Sequence, residues 1–160
     1  MNVSFESLPD EARVWIYPCN RSLTDDEIKN LEVRCEEFLT EWTAHGSQLE
    51  AAFKIEHKRF IILGLNEESQ NASGCSIDAF VHFIQTLERD FDIVLLDKMN
   101  VTFKQGDFFA YKPLAEFKKM AKDKAVTRKT IVFNNLVLNK KELETLWEVP
   151  ASDSWHERLF

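Results

Sequence analysis

Leu49-Glu50-Ala51-Ala52-Phe53-Lys54-Ile55-Glu56-His57-Lys58-Arg59-Phe60-Ile61-Ile62-Leu63-Gly64-Leu65 holds two strands of different character. From Leu49 to Glu56 the residues alternate. Ala51, Phe53 and Ile55 share one face, and Glu50, Lys54 and Glu56 share the other, as in a half-exposed edge strand. From Arg59 to Leu65 the chain is apolar almost without interruption, which suits a strand covered on both faces. His57-Lys58 fits a two-residue turn, although it lacks the glycine such turns favour.

Working outward, Arg13-Val14-Trp15-Ile16-Tyr17 reads as another continuously apolar strand, closed by Pro18 and Asn20. Thr24 followed by Glu27 forms a capping box that opens a helix. Ile28, Leu31, Cys35, Phe38, Leu39 and Trp42 recur at helical spacing, and Gly46 is its expected stop. Downstream, a polar loop from Asn66 to Gly74 leads into a second helix. Its inward stripe is Ile77, Phe80, Val81, Ile84 and Leu87, with Asp78, His82, Gln85 and Arg89 facing outward. Asp92-Ile93-Val94-Leu95-Leu96 is expected to be the next strand.

The order β-α-β-β-α-β is the split arrangement of ferredoxin-like domains. In that arrangement the first and third strands are central and the second is an edge, and the apolar patterns match those places. The expectation is an α+β single domain, with residues 1–97 as the ferredoxin-like core and 98–160 as a C-terminal α/β elaboration. In the elaboration, Asn100–Lys104 and Phe108–Tyr111 suit a hairpin over Gln105-Gly106-Asp107. Pro113 suits the start of a basic helix with Leu114, Phe117 and Ala121 inward. Thr130–Phe133 suits a short strand, interrupted at Asn134-Asn135 by a bulge or a hydrogen-bonding pair. Asn139 with Glu142 suits a helix start, and Ser154 with Glu157 a last capped turn. Central strands that are apolar on both faces require part of residues 100–160 to cover the sheet.

The chain has 160 residues, enough for a substantial core, with 44% hydrophobic and 29% charged residues, as in soluble globular proteins. Its net charge of −7 argues against nucleic-acid binding over the whole surface. The charge is uneven. Residues 1–110 carry 20 acidic and 10 basic side chains. Residues 111–141 carry nine Lys/Arg, including Lys112, Lys118, Lys119, Lys122 and Lys129, against Glu116 and Asp123. That segment is either a solvated helix face balancing an acidic body or a patch for an acidic or phosphate-bearing partner. Cys19, Cys35 and Cys75 form no even framework, and the N-terminal residues carry no secretion signal. No run reaches the roughly 18 apolar residues of a membrane helix. The expected location is the cytoplasm, with no membrane insertion.

Chemically useful groups are densest in Asn71-Ala72-Ser73-Gly74-Cys75-Ser76-Ile77-Asp78. A helix N-terminus gathers free N–H groups and the positive end of the helix dipole, which favour an anion or a thiolate. Cys75 is the candidate nucleophile, with His45 or His156 as base; His82 lies about two turns down the same helix. The competing reading makes Cys75 a small packed residue and Cys35 an inert core thiol. Ser73, Gly74, Ser76 and Asp78, with Lys112 and Lys119, are the candidate ligand-binding set. Ordinary helix capping is the alternative for the two serines. No phosphate loop, dinucleotide fingerprint, Cys-x-x-Cys pair or zinc-protease motif is present. The histidines and cysteines show no metal-ligand spacing, so neither metal nor cofactor is expected.

The segments Arg13–Tyr17, Trp42-Thr43-Ala44-His45-Gly46, Ala72–Asp78, Leu95-Leu96-Asp97-Lys98-Met99-Asn100-Val101 and Trp147-Glu148-Val149-Pro150-Ala151-Ser152 together resemble a family of short proteins from Bacteroidetes-type bacteria. That family carries the label "ABC transporter ATPase". The resemblance covers nearly the whole chain and implies no activity or functional residue. An ABC ATPase needs a glycine-rich phosphate loop, a magnesium-binding carboxylate and an LSGGQ-type signature. Ala72-Ser73-Gly74-Cys75 is only a faint echo of that signature, and ATPase activity is not expected. The sequence therefore points to a non-catalytic module for a small anionic ligand or an acidic protein partner. The alternatives are a small enzyme using Cys75 and a structural subunit that self-associates as a homo-oligomer.

Overall fold

A computed structural model describes residues 1–68 and 70–160, so Ser69 in the expected Asn66–Gly74 loop lies outside the described residues. The chain divides into two compact units, Met1–Leu96 with Leu138–Lys141, and Asp97–Val137 with Glu142–Phe160. Both are mixed α+β with antiparallel sheets.

The first unit contains β1 (Arg13–Pro18), α1 (Asp25–Glu41), β2 (Thr43–Ala44), β3 (Ser47–Gln48), β4 (Glu50–Glu56), β5 (Phe60–Asn66) and α2 (Gly74–Phe91). Its main sheet has the order β1-β5-β4. β5 is buried along its whole length, as its uninterrupted apolar run requires. Ile61, Leu63 and Leu65 face a core that includes Leu31 and Leu39 from α1 and Phe80, Ile84 and Leu87 from α2. On the opposite face, a Cβ at Gly64 would lie 2.5 Å from Leu8 Cδ1 and 2.9 Å from Phe5 Cε2. The 3-10 turn Phe5–Ser7 thus rests directly on β5, through a gap that only glycine leaves. This N-terminal cover is not among the expectations from sequence.

His57 and Lys58 adopt φ values of 53° and 56°, and the Arg59 N–H donates to Glu56 O at 3.0 Å. This is the left-handed pair that a tight hairpin requires, formed here without glycine. Carbonyls of the same turn accept N–H groups from Leu23 and Cys19, each at 2.7 Å, and hold it in place. Ahead of α1, Arg21 forks onto both carboxylate oxygens of Glu27 at 2.8 Å and also donates to Phe91 O at 2.9 Å. The Arg21 bonds, with the Thr24 N–H, hold the Glu27 carboxyl down at about 2. One guanidinium thereby joins the start of α1 to the end of α2.

Two expectations are corrected. α1 ends at Glu41 rather than reaching Gly46, because Trp42 leaves the helix with an extended backbone and its indole donates to Ser76 O at 2.8 Å. His45 (φ 52°) and Gly46 (φ 79°) then form the turn of the small β2–β3 hairpin. Asp92–Leu96 forms no strand. Its amides are drawn to side-chain acceptors instead: Val94 N–H to Asn20 Oδ1 at 2.9 Å, and Leu95 and Leu96 N–H to Glu88 Oε2 at 2.7 and 3.0 Å. The outer edge of β1 is taken by Leu138–Lys140, with Val14 N–H donating to Leu138 O and Lys140 N–H to Ala12 O. The Lys140 ammonium, 8% exposed, donates to Glu6 O and Leu8 O, tying that segment to the N-terminal turn.

In the second unit, β6 (Asn100–Gln105) and β7 (Phe108–Pro113) form the expected hairpin, followed by α3 (Leu114–Lys122) and β8 (Ile131–Phe133). α4 (Lys140–Leu146) leads to β9 (Glu148–Pro150), and the sheet order is β7-β6-β8-β9. Val101, Phe103, Phe117, Val126, Val132 and Ala151 form its core. Asn134-Asn135 has the hydrogen-bonding role: Asn134 Oδ1 accepts the Leu136 N–H and Asn135 Oδ1 accepts the Trp147 indole.

The close approach at Gly64 makes a direct prediction. Gly64→Ala should lower the unfolding free energy by about 1–3 kcal/mol in urea titrations, through overpacking against Phe5 and Leu8. Adding Leu8→Ala should make the glycine substitution less costly. Additive effects of the two changes would contradict the packing described.

Candidate functional site

The start of α2 brings Ser73, Gly74, Cys75 and Ser76 together as expected, and uses both hydroxyls internally. The Ser76 N–H donates to Ser73 Oγ at 3.0 Å and the Ser73 N–H to Ser76 Oγ at 2.8 Å, completing a reciprocal capping box. The Ser76 hydroxyl also donates to Ser73 O at 2.9 Å, and Ser76 is buried. The Ser73 hydroxyl oxygen is thus taken as an acceptor, and the Ser76 hydroxyl is taken as both donor and acceptor. Asp78, exposed one turn along, adds a negative charge where an anion would approach. Gly74 has open space around its Cα. Lys112 and Lys119 belong to the second unit, and Lys112 pairs with Glu116 at 3.5 Å.

The three thiols are all free and differ in access. Cys19 and Cys35 are buried. Burial pushes the Cys35 thiol up to about 12 and also raises Cys19, so both are held as inert thiols. Cys75 is exposed at the second helical position of α2. Among the described residues, no side-chain hydrogen bond joins the Cys75 thiol to the His45 ring. His82 is exposed on α2. His156, in the second unit, is 1% exposed, stacked on Trp155 with ring centroids 3.9 Å apart, and joined through Nδ1 to Ser154 Oγ at 2.6 Å. Burial lowers its pKa from 6.5 to about 4, so the ring is neutral at pH 7. Among the described residues, no group of three or more His, Cys, Asp or Glu could hold a metal ion. No helix among them is long and apolar enough to cross a membrane.

The basic segment has a definite arrangement. Leu114 and Phe117 of α3 turn into the second core, with Met120 and Ala121 packed against it. Lys118, Lys119 and Lys122 lie on the exposed side, and Lys124 and Lys129 are exposed in the following loop. None of these five ammonium groups has an ion pair among the described residues. By contrast, Arg21, Arg34, Lys54, Lys58, Arg89, Lys104 and Lys112 each meet a carboxylate, as does Arg128 of the same loop, with Glu157. The expected ligand-binding set takes only Lys112 and Lys119 from this basic segment, and the alternation of Lys118, Lys119 and Lys122 with the inward stripe is the signal for the others on α3. Comparison of the chain with protein-family models, curated proteins and solved structures gives no match.

The buried imidazole sets a pH dependence. The unfolded chain takes up a proton near pH 6.5, whereas folded His156 does so only near pH 4. Its contribution is therefore intact above pH 6.5 and is lost as pH falls toward 4, by up to about 3 kcal/mol. Urea unfolding between these limits should show the decline, and His156→Phe should flatten it. An unchanged slope in the variant would contradict a buried, neutral His156.

Proposed function

We propose that this protein is a non-catalytic binding module that docks on an extended anionic partner through Lys118, Lys119, Lys122, Lys124 and Lys129. The single observation that carries this reading is the concentration of unpaired, exposed ammonium groups within residues 118–129. Outside this segment, Arg21, Arg34, Lys54, Lys58, Arg89, Lys104 and Lys112 find a carboxylate, and within it Arg128 does, although the net charge of −7 supplies acidic groups in excess. Like charges held on one short helix and loop repel each other, and an approaching anionic surface relieves that repulsion. Lysines on flexible stems act as separate point charges, which suits a broad surface better than a pocket for one small anion.

The self-capped start of α2 takes a structural role in this reading, and Ser73, Gly74, Ser76 and Asp78 are not its ligand contacts. ATP hydrolysis forms no part of it, and three unpaired thiols suit a reducing compartment such as the cytoplasm. The first unit is read as a ferredoxin-like arrangement lacking its last strand. Three facts support that reading: the order β1-β5-β4, its antiparallel pairing, and helices after the first and third strands.

Isothermal titration with polyglutamate tests the proposal. The protein should bind at low salt, with affinity falling as salt rises, despite its negative net charge. Each lysine contact is worth about 1 kcal/mol in dilute buffer, so Lys118→Glu/Lys119→Glu/Lys122→Glu should weaken binding more than about tenfold. Circular dichroism should show an unchanged fold. No binding by the parent protein, or equal binding by the variant, would overturn the proposal.

A further inference from the structure

The lysine surface shares one end of the second unit with an exposed aromatic ring. β6 and β7 are joined by Gly106-Asp107, with Gln105 opposite Phe108 in register and Gly106 at φ 60°. α3 starts at the far end of this hairpin, where the Leu114 N–H donates to Met99 O at 2.9 Å. Further along, Phe117 meets Phe103 of β6 at 5.1 Å between ring centroids. The helix therefore runs back along the hairpin, and its last turn, carrying Lys119 and Lys122, points toward the Gly106-Asp107 end. There Phe108 is 79% exposed, with no ring contact among the described residues.

Resting on the proposed function, we infer that the anionic partner is the headgroup surface of an anionic lipid bilayer, with Phe108 entering the headgroup–acyl boundary. An exposed phenylalanine at the tip of a tight hairpin offers apolar area without unfolding anything. Five unpaired lysines on α3 and the loop after it offer attraction to anionic headgroups. Lysine is depleted in protein–protein contact surfaces, where fixed geometry favours arginine, whereas a fluid headgroup layer presents no fixed geometry to match. Asp107 and Asp123 oppose this field and are outnumbered by the lysines. The contact is peripheral, since no described helix can span the membrane.

Co-sedimentation of the full chain with vesicles tests this. Phosphatidylcholine vesicles containing phosphatidylserine should pull the protein down, and pure phosphatidylcholine vesicles should not. Phe108→Ser should weaken partition about tenfold, and Lys119→Glu/Lys122→Glu by more than about fivefold per lysine at low salt. Phe108→Ser should leave polyglutamate binding unchanged. Soluble glycerophosphoserine should not compete at millimolar concentration, because the surface rather than one headgroup is recognised. Absence of partition, or equal partition by Phe108→Ser, would overturn the inference. If polyglutamate still bound in that case, the proposed function would stand and the partner would be an acidic protein. Loss of both would end both.

Discussion

A strand buried on both faces cannot stand alone, and β5 imposes that condition on the first unit. Each face must be covered and each neighbouring edge satisfied. α1 and α2 cover Ile61, Leu63 and Leu65, while the Phe5–Ser7 turn closes over Gly64. β4 and β1 pair with β5 on either side. Beyond them, Met1–Val3 runs parallel to Ala51, and Leu138–Lys140 follows the outer edge of β1. The buried Lys140 ammonium joins two of these coverings by donating to Glu6 O and Leu8 O. Loss of that donor would leave buried carbonyls unsatisfied, which typically costs about 1–3 kcal/mol.

The same accounting of hydrogen-bonding groups separates structural from functional candidates. The serines at the start of α2 satisfy each other, and the Trp42 indole uses a carbonyl in the same turn. Ser154 and His156 likewise satisfy one another inside the second unit. Serine, histidine and tryptophan are residue types of active sites, yet here their partners make them internal fastenings. The lysines of α3 and the following loop have charge, exposure and no internal partner, and Phe108 beside them has apolar area without cover.

Much of this was legible in residue patterns, where the determinants are local. The contrast between alternating Glu50–Glu56 and apolar Phe60–Leu65 marks an edge strand and a doubly covered one, and both are present. The Thr24–Glu27 capping box and the β6–β7 hairpin are likewise short-range features. What escaped depends on distant partners. Ile93–Leu96 has a strand's composition, yet Asn20 takes the Val94 N–H from 74 residues away. Glu88 takes the next two amides. Trp42 has the spacing of a helical core residue, yet its bond to Ser76 O, 34 residues on, fixes it outside the helix and leaves His45 on a hairpin turn. For the site, composition located the basic segment, but which lysines lack an ion pair is set by the folded arrangement of carboxylates.

The most direct measurement of the central claim is a residue-resolved map of contact in solution. In 15N-edited NMR spectra recorded during titration with polyglutamate, amide shifts should concentrate in residues 117–130, while residues 73–78 stay unmoved. Shifts at residues 73–78 with none between 118 and 129 would contradict the account, because they would place the anion at the start of α2 and not on the lysines.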